Sequence, residues 1–184
     1  MIVLFGKTCS GKDTIMKYLV EHYGYKKPVT YTTRPMRKGE KTGVDYHFIT
    51  QEEFMAKVAK GFFAEYRSYK TTDGEWFYGS ALADIEDAGD DTVVILNLDG
   101  VKYLKAHADV QPIYIHIAVS EQTLEERLML RGDDPDEAAR RLDSDRVDFS
   151  DAEQLADKVI VNENGMSIAH AARRIHEFVT HEIL

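Results

Sequence analysis

The sequence of 184 residues is short of several things, and each shortage excludes a class of protein. Cysteine occurs once, as Cys9, which rules out an internal disulfide framework and any multi-cysteine zinc site. No apolar run approaches the roughly 20 residues that span a bilayer. The run at Met1–Phe5 is too short for the core of a signal peptide, so the expectation is a cytoplasmic chain with no membrane partner. Positive charge is scarce: 23 Lys and Arg stand against 32 Asp and Glu, a net charge of −9. A field of that sign repels polyanions and argues against a general nucleic-acid binder. The seven histidines show no metal-ligand spacing such as H-x-x-x-H, and Trp76 reads as packing. Internal repeats and low-complexity segments are absent. With 43% apolar and 30% charged residues, the chain is neither disordered, nor collagen-like, nor a coiled coil.

What remains is a globular chain of about one domain, large enough to bury about 70% of its unfolded surface. Ile2–Phe5, Val93–Leu96, Ile113–Val119 and Val159–Val161 are short apolar, mostly β-branched runs that read as buried strands. Helical patterns follow at Lys12–His22, Val101–Ala108, Glu121–Leu130 and Met166–Phe178. Buried strands alternating with helices predict an α/β fold with a central parallel sheet covered on both faces. Residues 31–80 break the rhythm. They are rich in Thr, Tyr, Gly and charge, with a short helix at Gln51–Ala59 and strand-like runs at Tyr46–Ile49 and Phe62–Tyr69, which predicts a small α+β insert. A second insert begins near Gly132 and reads as a helix with acids in its first turn. Charge is unevenly spread. Residues 26–41 carry six cations against the single acid Glu40, whereas residues 133–153 carry nine acids against three arginines. A compact basic island on an acidic chain suits a small anionic ligand.

Gly6–Lys12 fits G-x-x-x-x-G-K between a predicted strand and a predicted helix. Glycines let backbone N–H groups turn toward phosphate oxygens, and the helix N-terminus adds partial positive charge. Gly6, Lys7, Thr8, Cys9, Ser10, Gly11 and Lys12 would cradle the phosphates of a nucleoside triphosphate, with Lys12 reaching the β- and γ-phosphates. After the lysine, where Ser or Thr usually holds Mg²⁺, stands Asp13, followed by Thr14. Either is a hard oxygen donor suited to that metal. Cys9, between lysines at a helix N-terminus, is positioned for a lowered thiol pKa, although a small filler is the simpler reading.

The next segment, Thr32–Phe48, carries Thr32, Thr33, Arg34, Arg37, Glu40, Gly43, Tyr46 and Phe48 in a spacing that resembles the signature of guanylate kinases. Gly61–Glu65 is similar to that family's Gly-x-Phe-x-Glu stretch, and Tyr78–Ser80 to its Tyr-Gly-Ser/Thr. Leu96–Val101 resembles its Leu-Asp-x-Asp-…-Gly-Val, shortened by about two residues. Arg127, Arg131 and Arg141 resemble its lid arginines, with the last gap one residue short. Lys158–Asn162 resembles its closing strand. The resemblance covers essentially the whole chain. It implies a P-loop nucleoside-monophosphate-kinase fold, a three-layer sandwich with a GMP-binding insert and a helical lid. Core segments would be 1–30, 81–130 and 155–184, the insert 31–80 and the lid 131–154.

It also implies transfer of a phosphoryl group from ATP to GMP, assisted by Mg²⁺ at Asp13 or Thr14. Lys12, Arg34, Arg131 and Arg141 would be catalytic. Arg127 and Asn162 would stand on the ATP side. Thr30, Arg34, Arg37, Tyr46, Glu65, Tyr78, Ser80 and Asp99 would bind GMP. The residue types make sense chemically. Paired guanidiniums match a phosphate dianion bidentately, and one carboxylate accepts from both N1–H and N2–H of guanine, whereas adenine's N1 lone pair would repel it. Asn97 stands where the family has an aspartate, and Asp13 is an extra acid. Together these two departures lead to the expectation that the metal-side carboxylate has moved from the strand before Asn97 to the phosphate loop. Two rival readings stand beside this one: a kinase of the same fold acting on another nucleoside monophosphate or a ribose phosphate, and a non-catalytic protein-binding module. A monomer and a homodimer fit equally well.

Overall fold

The computed structural model describes residues 1–71, 74–107, 111–131 and 135–182, with the backbone alone at 69–71, 131, 135–138, 141 and 182. The elements in chain order begin with β1 (Ile2–Phe5), α1 (Lys12–Tyr23), β2 (Tyr31–Thr32), β3 (His47–Phe48) and α2 (Gln51–Ala59). β4 (Phe63–Thr71), β5 (Gly74–Ala81), α3 (Leu82–Glu86), β6 (Val93–Ile95) and α4 (Leu98–His107) follow. The chain ends with β7 (Ile113–Ala118), α5 (Glu121–Arg131), α6 (Pro135–Asp148), α7 (Ala152–Leu155), β8 (Lys158–Val161) and α8 (Ile168–Glu182).

The core sheet has the order β6-β1-β7-β8, and every pair in it is parallel. Period-two alternation divides its side chains between two apolar layers. Ile2, Leu4, Ile115 and Ile117 face α1 and α8, where they meet Ile15, Leu19, Ala172, Ile175 and Val179. Val3, Phe5, Val94 and Leu96 face the other way and meet Val101 and Leu104 of α4. A sheet buried on both faces explains the unbroken apolar runs of its strands. The result is the three-layer α/β arrangement expected from the alternation, with the first strand–helix junction at the carboxyl edge of the sheet.

The second sheet, β3-β2-β5-β4, is mixed and belongs to the insert. Its long hairpin pairs Glu65 with Ser80 and Arg67 with Tyr78. Helix α2 covers it, started by a capping box in which Thr50 and Glu53 satisfy each other's backbone N–H groups. Phe54 from this helix stacks on Phe63 at 4.5 Å.

The fourth helix begins earlier than its periodicity predicts. Val101 is its first apolar residue in helical spacing, but α4 starts at Leu98, because the Asn97 side-chain oxygen accepts the Gly100 N–H at 2.8 Å. That is an N-cap bond, and asparagine is a preferred residue for it. Asp99 therefore lies in the first turn of this helix. Among the described residues, no helix is long and apolar enough to cross a membrane.

Candidate active site

The phosphate loop closes around the Lys12 ammonium. Its Nζ donates to the Gly6 and Lys7 carbonyls, each at 2.7 Å, and to Ser10 Oγ at 3.2 Å. Burial pushes the Lys12 pKa down to about 8. Asp13, Asp145 and Cys9 oppose that fall, and Arg67 adds to it. Gly11 takes a left-handed φ of 92°, and a Cβ there would lie 2.5 Å from the Asn162 amide nitrogen. Only glycine fits both demands. Cys9 holds a positive φ of 59° within the same turn. Asn162 and Arg127 grip this loop from outside. The Asn162 amide donates to the Ser10 carbonyl at 2.8 Å, while the Arg127 guanidinium donates to the carbonyls of Cys9 at 3.1 Å and Asn162 at 2.8 Å.

A carboxylate from α6 meets the loop on its open side. The Thr8 N–H donates to Asp145 Oδ2 at 2.6 Å, and Asp145 is buried. That bond uses a donor of the kind a phosphate oxygen would take.

The basic island folds around Glu40. The Arg34 guanidinium makes two parallel hydrogen bonds to it, at 3.0 and 2.8 Å, and the Arg37 N–H adds a third at 2.7 Å. These contacts hold the Glu40 carboxyl below the usual carboxylate range. Arg34 is only 4% exposed and lies 5.5 Å from the Tyr46 ring centre and 5.6 Å from that of Phe48. Tyr78 meets Tyr46 edge-on at 6.0 Å. The Arg37 side chain, by contrast, is exposed at the wall of a cleft.

Glu65 lies deeper in that cleft. Ser80 Oγ donates to one of its oxygens at 2.9 Å, and the Asn97 amide donates to the other at 2.6 Å. Burial raises its pKa to about 6, against the opposing pull of the Ser80 hydrogen bond and Arg67. An ionised carboxylate offers about four acceptor positions, so two remain for a ligand. Gly100 is required alongside, since a Cβ there would stand 2.9 Å from Glu65 Cγ. Asn97 thus has two jobs, capping α4 and orienting Glu65. A carboxylate at position 97 would repel Glu65, which gives a local reason for asparagine there besides any change at the metal side.

A single cleft of about 670 Å³ joins the two cradles. From the donor loop it is lined by Gly6, Thr8, Cys9, Lys12 and Asp13. From the insert, Thr30, Arg37, Tyr46, Glu65, Tyr78 and Ser80 line it. Lys7, Ser10 and Gly11 of the loop are not part of that lining, nor are Thr14, Arg34, Arg127 and Asn162. Asp99 is exposed on α4, close enough to raise the Glu65 pKa but outside the cleft lining. The side chains of Arg131 and Arg141 lie outside the described residues.

Among the charged residues of the cleft, Arg67 and Asp145 lie outside every motif read from the sequence. Arg67 was accessible through strand alternation, two positions after Glu65. Asp145 is one acid among many in its segment, and nothing in the sequence sets it apart. Among the described residues, no group of three His, Cys, Asp or Glu side chains is placed to hold a metal ion by itself.

Comparison with known proteins gives a consistent result. The family model described as guanylate kinase matches residues 1–182. A guanylate kinase of Bifidobacterium longum is 37% identical, over 89% of this chain and 86% of its own length. A human guanylate kinase is 32% identical, over 99% of this chain and 93% of its own. The crystal structure of guanylate kinase from Anaplasma phagocytophilum superposes with a TM-score of 0.66 at 28% identity, covering 99% of this chain and 85% of that one. A shikimate kinase from Acinetobacter baumannii reaches a TM-score of 0.57 at 12% identity, covering 100% of this chain and 94% of that one, a likeness of fold alone.

Proposed function

The chain belongs to the guanylate kinase family, and from that premise we propose that it transfers the γ-phosphoryl group of ATP to GMP, giving ADP and GDP. One observation carries the acceptor assignment. Glu65, fixed by Ser80 and Asn97, keeps two acceptor positions free in the same cleft as Lys12. Guanine's N1–H and N2–H₂ fill that pair. Adenine has no N1–H to give, and a site built around hydrogen bonds rejects the analogue lacking them by about 10⁴-fold. Thr30 lines the same cleft and, on this reading, donates to guanine O6.

The chemistry is an in-line displacement that relies on position and charge. Lys12 and the loop amides neutralise the donor phosphates. Arg37, Tyr46 and Tyr78 receive the GMP phosphate. Arg34, neutralised by Glu40, holds that wall in shape and keeps further N–H groups for the same phosphate. Arg131 and Arg141 close over the transferring group when segment 131–154 moves as a lid, which also keeps water out. Segment 31–80 acts as the acceptor-binding unit. Arg127 and Asn162 serve ATP by holding the loop.

Mg²⁺ fits the donor side. Asp13 is a hard carboxylate lining the cleft next to Lys12, whereas Thr14 is outside it. Mg²⁺ typically takes one or two carboxylates plus substrate phosphates. Asp13 is therefore the residue proposed to hold it, directly or through water. When bound, the ion offsets the charge of the donor phosphates.

Labelled [γ-³²P]ATP tests the reaction directly. Purified protein with Mg²⁺ and GMP should yield labelled GDP in a one-to-one ratio with ADP. Label transferred to CMP, UMP or a ribose phosphate in preference to GMP would favour the rival kinase reading, and no transfer to any acceptor would favour the binding-module reading.

A further inference from the structure

The face of β4 that looks into the cleft carries two charged residues in succession. Glu65 and Arg67 are two positions apart and share that face, while Tyr66 turns away, its ring 6.1 Å from that of Phe54. Across the hairpin, Glu65 pairs with Ser80 and Arg67 with Tyr78. The strand therefore runs from the base end of the acceptor site to its phosphate end within two residues. Arg67 is half-buried and lines the cleft, and its side chain makes no hydrogen bond or ion pair with another described residue.

A half-buried guanidinium without a partner is costly unless an anion completes it. The charges nearby show which anion is missing. Arg34 is already matched by Glu40 at 2.8 Å. Arg37 is then the only other arginine lining the cleft among the described residues. Lys12, spent on the donor loop, contributes nothing to the acceptor. A phosphate dianion needs about two positive charges, and Arg37 with Arg67 supplies them. Arg67, Glu65 and Lys12 all line this one cleft, and Arg67 acts electrostatically on both of the others.

We propose that Arg67 is a further catalytic residue, its guanidinium binding the acceptor phosphate and the phosphoryl group in transit from the donor loop. The proposal rests on the GMP kinase reading above. In the step concerned, an oxygen of the GMP phosphate forms a bond to the γ-phosphorus. The bond from that phosphorus to the β,γ-bridging oxygen breaks, and the bridging oxygen leaves with the electron pair as part of ADP. Two anions are pressed together during this exchange. A forked cation between them relieves the repulsion where it is greatest and offers two donors to oxygens of different groups.

The test uses Arg67→Ala and Arg67→Gln, the second keeping a polar side chain of intermediate length so that a folded neutral variant is available. Steady-state kinetics with GMP varied at saturating ATP should show kcat/KM lower by about 100-fold or more in both. Guanidinium chloride at millimolar concentration should restore part of the Arg67→Ala loss. Calorimetry should show ATP affinity unchanged and guanosine affinity unchanged, with the advantage of GMP over guanosine much reduced. A merely structural residue would lower all three affinities together, and that result would overturn the proposal. Wild-type kcat, KM and GMP-to-guanosine ratio in either variant would also overturn it. Failure of the parent reading is seen separately, as wild-type protein that does not charge GMP.

Discussion

Glu65 owes its pKa of about 6 chiefly to burial, and that value makes the acceptor site sensitive to pH. Guanine's two N–H donors need an ionised carboxylate, so kcat/KM for GMP should fall as pH drops through about 6, while KM for ATP stays level over the same range. Glu65→Gln places an amide N–H₂ against guanine's donors and should lower kcat/KM for GMP by about 100-fold or more. The stability effect has the opposite sign. A folded-state pKa raised above the unfolded value gives stability that is present below about 4.5 and lost as pH rises through 6. Ionised Glu65 thus costs the fold up to about 2 kcal/mol at neutral pH. Glu65→Gln should leave the melting temperature at pH 7.5 unchanged or higher; a fall of several degrees would mean the carboxylate holds the hairpin together. Lys12 makes a matching prediction at the donor end. Its pKa of about 8 reflects burial without a phosphate partner. Phosphates favour the charged amine, so ATP binding at pH 8.5 should take up protons. Calorimetry in buffers of different ionisation enthalpy measures that uptake, and Lys12→Met should abolish it.

Single elements were legible in the sequence to very different degrees. The helix at Gln51–Ala59 is readable to the residue, and its capping box explains why: Thr50 and Glu53 close its first turn locally. The start of α4 is obscured because its cap, Asn97, sits among apolar residues and its first turn includes Gly100, a glycine kept for the close approach of Glu65. The strands β2 and β3 have only two residues each and exist through pairing with distant partners, which no local pattern encodes. The same holds for Asp145, whose role comes from α6 lying over a loop 137 positions earlier in the chain. Its carboxylate occupies a phosphate-type donor and adds negative charge where triphosphate must come. Asp145→Asn removes that repulsion, which for a buried carboxylate is worth about 1 kcal/mol or more. The KM for ATP should fall roughly fivefold, with kcat little changed; an unchanged or higher KM would show that Asp145 does not compete with the triphosphate.

The whole molecule was the most legible of all. Four apolar runs, each followed by a helical pattern, lead to a parallel sheet with two covered faces, and the order β6-β1-β7-β8 bears this out. Placing β1 inside the sheet puts the phosphate loop at the carboxyl edge, where α/β proteins bind ligands. The insert folds as a separate sheet, and in a chain of net charge −9 Lys27 and Arg37 of the basic island line the same cleft as the phosphate loop. The central claim is that this cleft reads guanine through a single carboxylate while arginines hold its phosphate. The most direct measurement is the ratio of kcat/KM for GMP to that for AMP, with ATP and Mg²⁺ saturating and the unmodified protein. The account predicts a ratio on the order of 10⁴; a ratio near one, or a preference for AMP, would contradict it.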